Sequence, residues 1–216
     1  MARIGATKNV KKQELRALTL FLPIITLHLA GCATTTRTPL TYLGHYQIQA
    51  PKVDGFVACK SYGCKKKSWL TYTTEEWQEI SSIFETTPVN AAQERECIRV
   101  AIGRMEQIIG TKNDTTRDNP RNKNMGARGN QLDCIAEATN TTISLLLLEK
   151  EGLLRFHKTG YPQHRGLLHL KSPHNTASII ELANEAHYAV DSWFHAGGEM
   201  PEIMKVDIWK AGYSPN

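Results

Sequence analysis

The sequence predicts an α+β fold in which N-terminal helices and a central Cys-bearing helix pack on an antiparallel sheet. Two observations carry this. Apolar residues recur at helical spacing from Thr73 to Ile109 and again from Cys134 to Gly152. Beyond Gly152 they switch to short runs rich in β-branched and aromatic residues, separated by turn residues. Helices first and strands afterwards is the order of an α+β domain.

At the N-terminus, Arg3, Lys8, Lys11, Lys12 and Arg16 precede the apolar stretch Ala17–Ala30, which ends at Leu29-Ala30-Gly31-Cys32. A basic segment, a short Pro-interrupted apolar run and small residues before a cleavage point make a signal peptide. Leu-Ala-Gly-Cys resembles the lipobox of bacterial lipoproteins, whose cysteine is acylated and becomes the first mature residue. Residues 1–31 are therefore expected to be removed and Cys32 to carry the lipid, palmitate among its acyl chains. Each buried methylene contributes about 0.8 kcal/mol, so two or three chains hold a protein firmly on a membrane. By the sorting habits of such lipoproteins, Ala33 after the cysteine favours the outer membrane, facing the periplasm. The leader also carries most of the charge. The chain has 26 Lys/Arg against 21 Asp/Glu, a net +5, and residues 1–31 hold five of the bases and one acid, which leaves about +1. The longest basic run after Cys32 is Lys65-Lys66-Lys67, so no nucleic-acid partner is expected.

Residues 32–55, rich in Thr and Pro near their start, are expected to be a tether, and residues 56–216 a single domain. Thr73-Thr74-Glu75-Glu76 has capping-box spacing and opens a helix whose Trp77, Ile80, Ile83 and Phe84 share one face. A second helix is expected over residues 90–109, with Ile98, Ala101, Ile102, Met105, Ile108 and Ile109 inward and Gly110 as its stop. Residues 112–131 lack a hydrophobic period and read as a flexible loop. The next helix starts at Asp133-Cys134; its Leu145–Leu148 run offers apolar surface all round, as a central covered helix requires, and Gly152 closes it. Strands are expected over 153–158, 176–182 and 187–194, with Asn184-Glu185 as a hairpin turn.

The chemistry-bearing order is Cys134, His174, Asp191. A thiol at a helix start faces unpaired N–H groups and the positive end of the helix dipole, so its pKa is expected to fall. A histidine one strand away can take its proton, and an aspartate on the neighbouring strand can fix the ring. Hairpin partners lie about 5 Å apart, so the two meet when the register allows. The Cys134 N–H, with Asn130 or Gln131, is the expected oxyanion donor pair. Trp193, two residues past Asp191, is expected to wall the cleft.

Asp133-Cys134, Ala138, Leu145–Leu148, Gly152-Leu153, His174 and Tyr188-Ala189-Val190-Asp191 together resemble the transglutaminase-like cysteine enzymes, over roughly residues 130–195. The resemblance implies that fold, with Cys134 as nucleophile, His174 as base and Asp191 as orienter, acting on peptide or amide bonds through an acyl-enzyme that water or an amine releases. It departs from the family at Leu132, where a Gly is frequent, at Asn175-Thr176, where an aromatic often follows the His, and at Ser192, which replaces a frequent Pro. A cell-wall peptidase of the NlpC/P60 kind also opens a helix with Asp-Cys, but its usual Ser-Gly is Ile135-Ala136 here. A non-catalytic binding or assembly protein of the envelope on the same fold is the alternative from another class.

Four cysteines remain after Cys32. In an oxidising compartment Cys59 and Cys64 are the preferred bridge, with Cys64 to Cys97 the other option. His157, His164, His169, His174, His187 and His195 crowd one region, yet none stands at metal-motif spacing, so neither metal nor cofactor is expected.

Overall fold

The computed structural model describes residues 1–2, 36–123, 130–166 and 173–216. Cys32 and the predicted signal peptide beyond residue 2 lie outside the described residues, as do parts of the predicted tether and of the loop over 112–131.

Residues 36–55 of the segment expected as a tether belong to the same compact unit as the rest of the domain. Thr38 and Thr41 cap each other reciprocally around Pro39 at the first helical position, which starts α1, Pro39–His45. This helix buries Tyr42 and Leu43, and the Tyr42 hydroxyl meets Thr139 Oγ1 at 3.2 Å. A short hairpin follows, β1 Phe56–Cys59 with β2 Lys67–Leu70. Cys59 and Cys64 are disulfide-bonded across a single 3-10 turn, and Cys97 is a free, partly buried thiol.

Helix α2, Thr74–Ser82, has the capping box read from the sequence: Thr73 Oγ1 accepts from Glu76 N–H, and the Glu76 carboxylate accepts from Thr73 N–H. Helix α3, Ala91–Asn113, buries all six predicted apolar residues but runs past Gly110. Asp114, left-handed at φ 65°, ends it. Gly110 is needed for room: a Cβ there would stand 3.1 Å from Thr116 N, where the chain folds back over the helix. The sequence signal was right about a glycine and wrong about its purpose.

Helix α4, Cys134–Lys150, is the centre of the molecule and is buried almost continuously from Ala136 to Leu145. Asp133 caps it, accepting from Ala136 N–H at 2.9 Å and also from Gly63 N–H at 2.9 Å, so the disulfide turn is fastened to the helix start. Asn140 clamps the same hairpin from the helix side, accepting from Cys59 N–H at 2.7 Å and donating to Cys59 O at 3.0 Å.

The helix packs on a four-stranded antiparallel meander in the order β3 His157–Arg165, β4 His174–Glu181, β5 His187–Asp191, β6 Glu202–Lys205. β3 starts four residues later than the run read over 153–158, and a bulge between Gly160 and Gln163 accommodates Pro162. β5 stops at Asp191, short of the predicted 194, and Glu185 in the β4–β5 turn has φ 56°. β6 and the final helix α5, Val206–Lys210, were not anticipated. The alternation along β4 and β5 divides the core. Ala177, Ile179, Tyr188 and Val190 join the large cluster around α3 and α4, while Ala189 belongs to a second cluster with Trp193, Phe194, Val206 and Trp209. Among the described residues no helix is long and apolar enough to cross a membrane.

Candidate active site

Two strands bring His174 and Asp191 together by register. Ala177 lies opposite Val190, which sets Asp191 across from Thr176 and places His174 two residues along the same face. The diagonal is within reach of long side chains. His174 Nε2 and Asp191 Oδ2 are 2.7 Å apart, and both side chains are buried. The same carboxylate oxygen accepts from Trp209 Nε1 at 2.6 Å. With Asp191 as its acceptor, Nε2 carries the proton, and the lone pair of a neutral ring rests on Nδ1. Nδ1 is buried and has no hydrogen-bond partner among the described residues. A buried ring nitrogen left unpaired costs free energy.

Three aromatic rings enclose this imidazole: Trp193 with centroids 4.4 Å away, Trp209 at 5.4 Å and Phe194 at 5.5 Å. Trp193 thus stands against His174, held there by Nε1–H donating to Asn122 O at 3.1 Å.

Cys134 is the first residue of α4, partly exposed, and packs against the cluster that contains Trp193, Phe194 and Trp209. Its sulfur accepts from the Asn175 side-chain amide at 3.7 Å, and Asn175 Oδ1 in turn meets His164 Nδ1 at 3.1 Å. Among the described residues, His174 Nδ1 has no partner, so the thiol is not hydrogen-bonded to it. The expected fall in thiol pKa is not seen in this arrangement. Burial pushes Cys134 up, the hydrogen bonds from Asn175 oppose it, and the charges of Asp133 and Asp191 add to the rise. Desolvation and two nearby carboxylates outweigh the helix start.

Of the expected oxyanion donors, the Gln131 side chain is engaged elsewhere. Gln131 Nε2 donates to Arg117 O at 2.7 Å, while its Oε1 accepts from Asn119 and Asn122, so this side chain organises the loop before α4. Asn130, at φ 49°, borders residues 124–129, which lie outside the described residues. Trp209 and Asn175, both at the site, were not singled out as site residues. Asn175 had a local signal in its adjacency to His174, whereas Trp209 arrives through β6 and α5 with no local signal.

A second carboxylate group lies behind the site. The Glu106 carboxyl is buried and pushed up to about 7 by desolvation, against hydrogen bonds from Ser192, Gly198 and Thr141. Burial likewise raises Glu137, with the charges of Glu106, Asp118 and Asp191 adding to it, and burial raises Asp118. Among the described residues no group of three or more His, Cys, Asp or Glu side chains could hold a metal ion, and His169 lies outside them.

No protein-family model, curated protein or solved structure matches this chain.

Proposed function

We propose that this chain is a membrane-anchored envelope lipoprotein carrying a transglutaminase-like thiol enzyme, in which Cys134, His174 and Asp191 cleave or transfer an amide through an acyl-enzyme. The observation that supports this best is the unpaired Nδ1 of His174, held on a ring whose other nitrogen is fixed by Asp191 and set in the aromatic cluster against which Cys134 packs. A ring in that tautomer is a base waiting for a proton.

In the reaction Nδ1 takes the Cys134 proton and the sulfur attacks the amide carbonyl. The tetrahedral oxyanion is met by the Cys134 N–H, which at the first helical position has no acceptor within the helix. The Asn175 amide, 3.7 Å from the sulfur, is placed to supply the second donor in place of Asn130 or Gln131. His174 then returns its proton to the departing amine, and water or a second amine releases the acyl group from sulfur. Asp191 and Trp209 keep the ring oriented throughout.

A second reading is favoured by one observation. The thiol is engaged by Asn175 and its pKa is raised, as in a binding module that has kept the fold without the chemistry. Alkylation of Cys134 by iodoacetamide in the wild type and in His174→Ala separates the two. Thiol enzyme action predicts a large loss of reactivity on removing the imidazole, whereas an unchanged rate supports the binding module.

A further inference from the structure

Against His174 opens a cavity of about 270 Å³, walled by Trp193 and Phe194. The charged side chains that line it are Arg121, Lys123 and Arg165, and among the described lining residues there is no carboxylate. The three cations are set over the aromatic walls: Arg121 5.7 Å and Arg165 5.8 Å from the Phe194 centroid, and Lys123 5.6 Å from Trp193. Arg165 is further fixed by Trp209 O and Tyr213 O, and Arg121 by Pro215 O, all of them neutral acceptors. The nearby acids are engaged elsewhere. Asp191 holds His174 and Trp209, and Glu202 accepts from Tyr213 Oη at 3.0 Å and pairs with His195 at 2.9 Å. Positive charge here is therefore not neutralised within the cavity. The buried His174, with its unpartnered Nδ1, forms part of the wall, which joins this cavity to the reacting group.

We propose that the cavity receives a carboxylate on the substrate, so that the enzyme acts on acidic peptides whose negative side chain lies beside the scissile amide. This rests on the thiol-enzyme reading above. Arg121 and Lys123, both solvent-facing, attract the anion, and Trp193 and Phe194 seat the apolar part of its side chain.

Two alkylating reagents that differ in charge test the idea without a known substrate. The thiolate displaces iodide from each reagent, giving a carboxymethyl thioether with iodoacetate and a carbamidomethyl thioether with iodoacetamide, and the modified peptide is read by mass spectrometry. The ratio of their rates at Cys134, divided by the ratio for 2-mercaptoethanol, is expected to exceed one by about tenfold at low salt, the scale on which a cationic cleft concentrates an anion. It should fall several-fold in Arg121→Gln/Lys123→Gln and as salt is raised. A normalised ratio near one, or one indifferent to the double substitution, overturns the assignment. N-acetylglutamate should suppress the iodoacetate reaction more than inorganic phosphate does at equal ionic strength; stronger suppression by phosphate overturns the choice of carboxylate. Failure of the underlying reading shows separately, as an iodoacetamide rate unaffected by His174→Ala.

Discussion

Two buried histidine–carboxylate pairs stand among the described residues of this domain, and they differ in completeness. In the first, Glu94 on α3 accepts from Arg155 N–H at 2.6 Å, from Phe156 N–H at 3.0 Å and from His157 Nδ1 at 2.8 Å. His157 Nε2 faces Arg95 at 3.2 Å, and since a guanidinium can only donate, the ring is neutral with its proton on Nδ1. Both ring nitrogens are occupied. Burial raises the Glu94 carboxyl, but the bonds from His157, Arg155 and Phe156 outweigh it and the net shift is downward. In the second pair, Asp191 orients His174 and the far nitrogen has no partner among the described residues. A buried His–acid pair is thus not in itself a mark of chemistry. The nitrogen without a partner among the described residues distinguishes the pair proposed to react from the one that holds strands and helix together.

The comparison is broken most forcefully at Glu94. Glu94→Ala strands two backbone N–H groups and a histidine in the core and should cost about 3–5 kcal/mol in chemical denaturation, as breaking a buried pair does. Asp191→Asn keeps an acceptor for Trp209 and should cost about 1–2 kcal/mol, while slowing Cys134 alkylation at least about tenfold by loosening the ring. Equal losses of stability in the two variants would erase the distinction.

Stability against pH sharpens it. Glu94 has a folded pKa below its unfolded value, so its contribution is present above about pH 4.5 and is lost as pH falls through the folded value. Glu106, raised from 4.5 to about 7, behaves in the opposite sense: its contribution is full below pH 4.5 and is lost as pH rises through 7. Glu106→Gln should therefore stabilise the protein by about 1–3 kcal/mol at pH 8 and change little at pH 5, measured as thermal midpoints at both pH values. A smaller effect is expected from Trp209→Phe. Removing one N–H donor to Asp191 should cost about 1 kcal/mol and broaden the pH response of the site, with no effect on the Glu94 pair.

Much of the fold could be read because its signals are local. The Thr73–Glu76 box, the six inward residues of α3 and the Asp133 cap of α4 each lie within a turn or two of the element they define. The meeting of His174 and Asp191 was legible as well, since a strand, a turn and a strand between them set their diagonal. What escaped depended on distance or brevity. Four residues of β6 and five of α5 are too short to show a period, yet they deliver Trp209 to Asp191. Glu94 and His157 stand 63 positions apart, and nothing near either one announces the pair. The Thr-Pro composition around residue 38 suggested a tether because it is also the composition of a helix start. The thiol went astray differently: the helix start was right, but only the folded structure shows how much desolvation Cys134 meets.

The central claim is that His174 converts this partly buried thiol into a nucleophile, and the pH profile of Cys134 alkylation by iodoacetamide tests it directly. Burial, Asp133 and Asp191 raise an unpaired thiol, whereas pairing with the imidazole opposes them. The wild-type protein should therefore react with an apparent pKa well below the ordinary thiol value of about 8.5, and His174→Ala should move it above that value. A raised pKa in the wild type, the same in His174→Ala, would contradict the account.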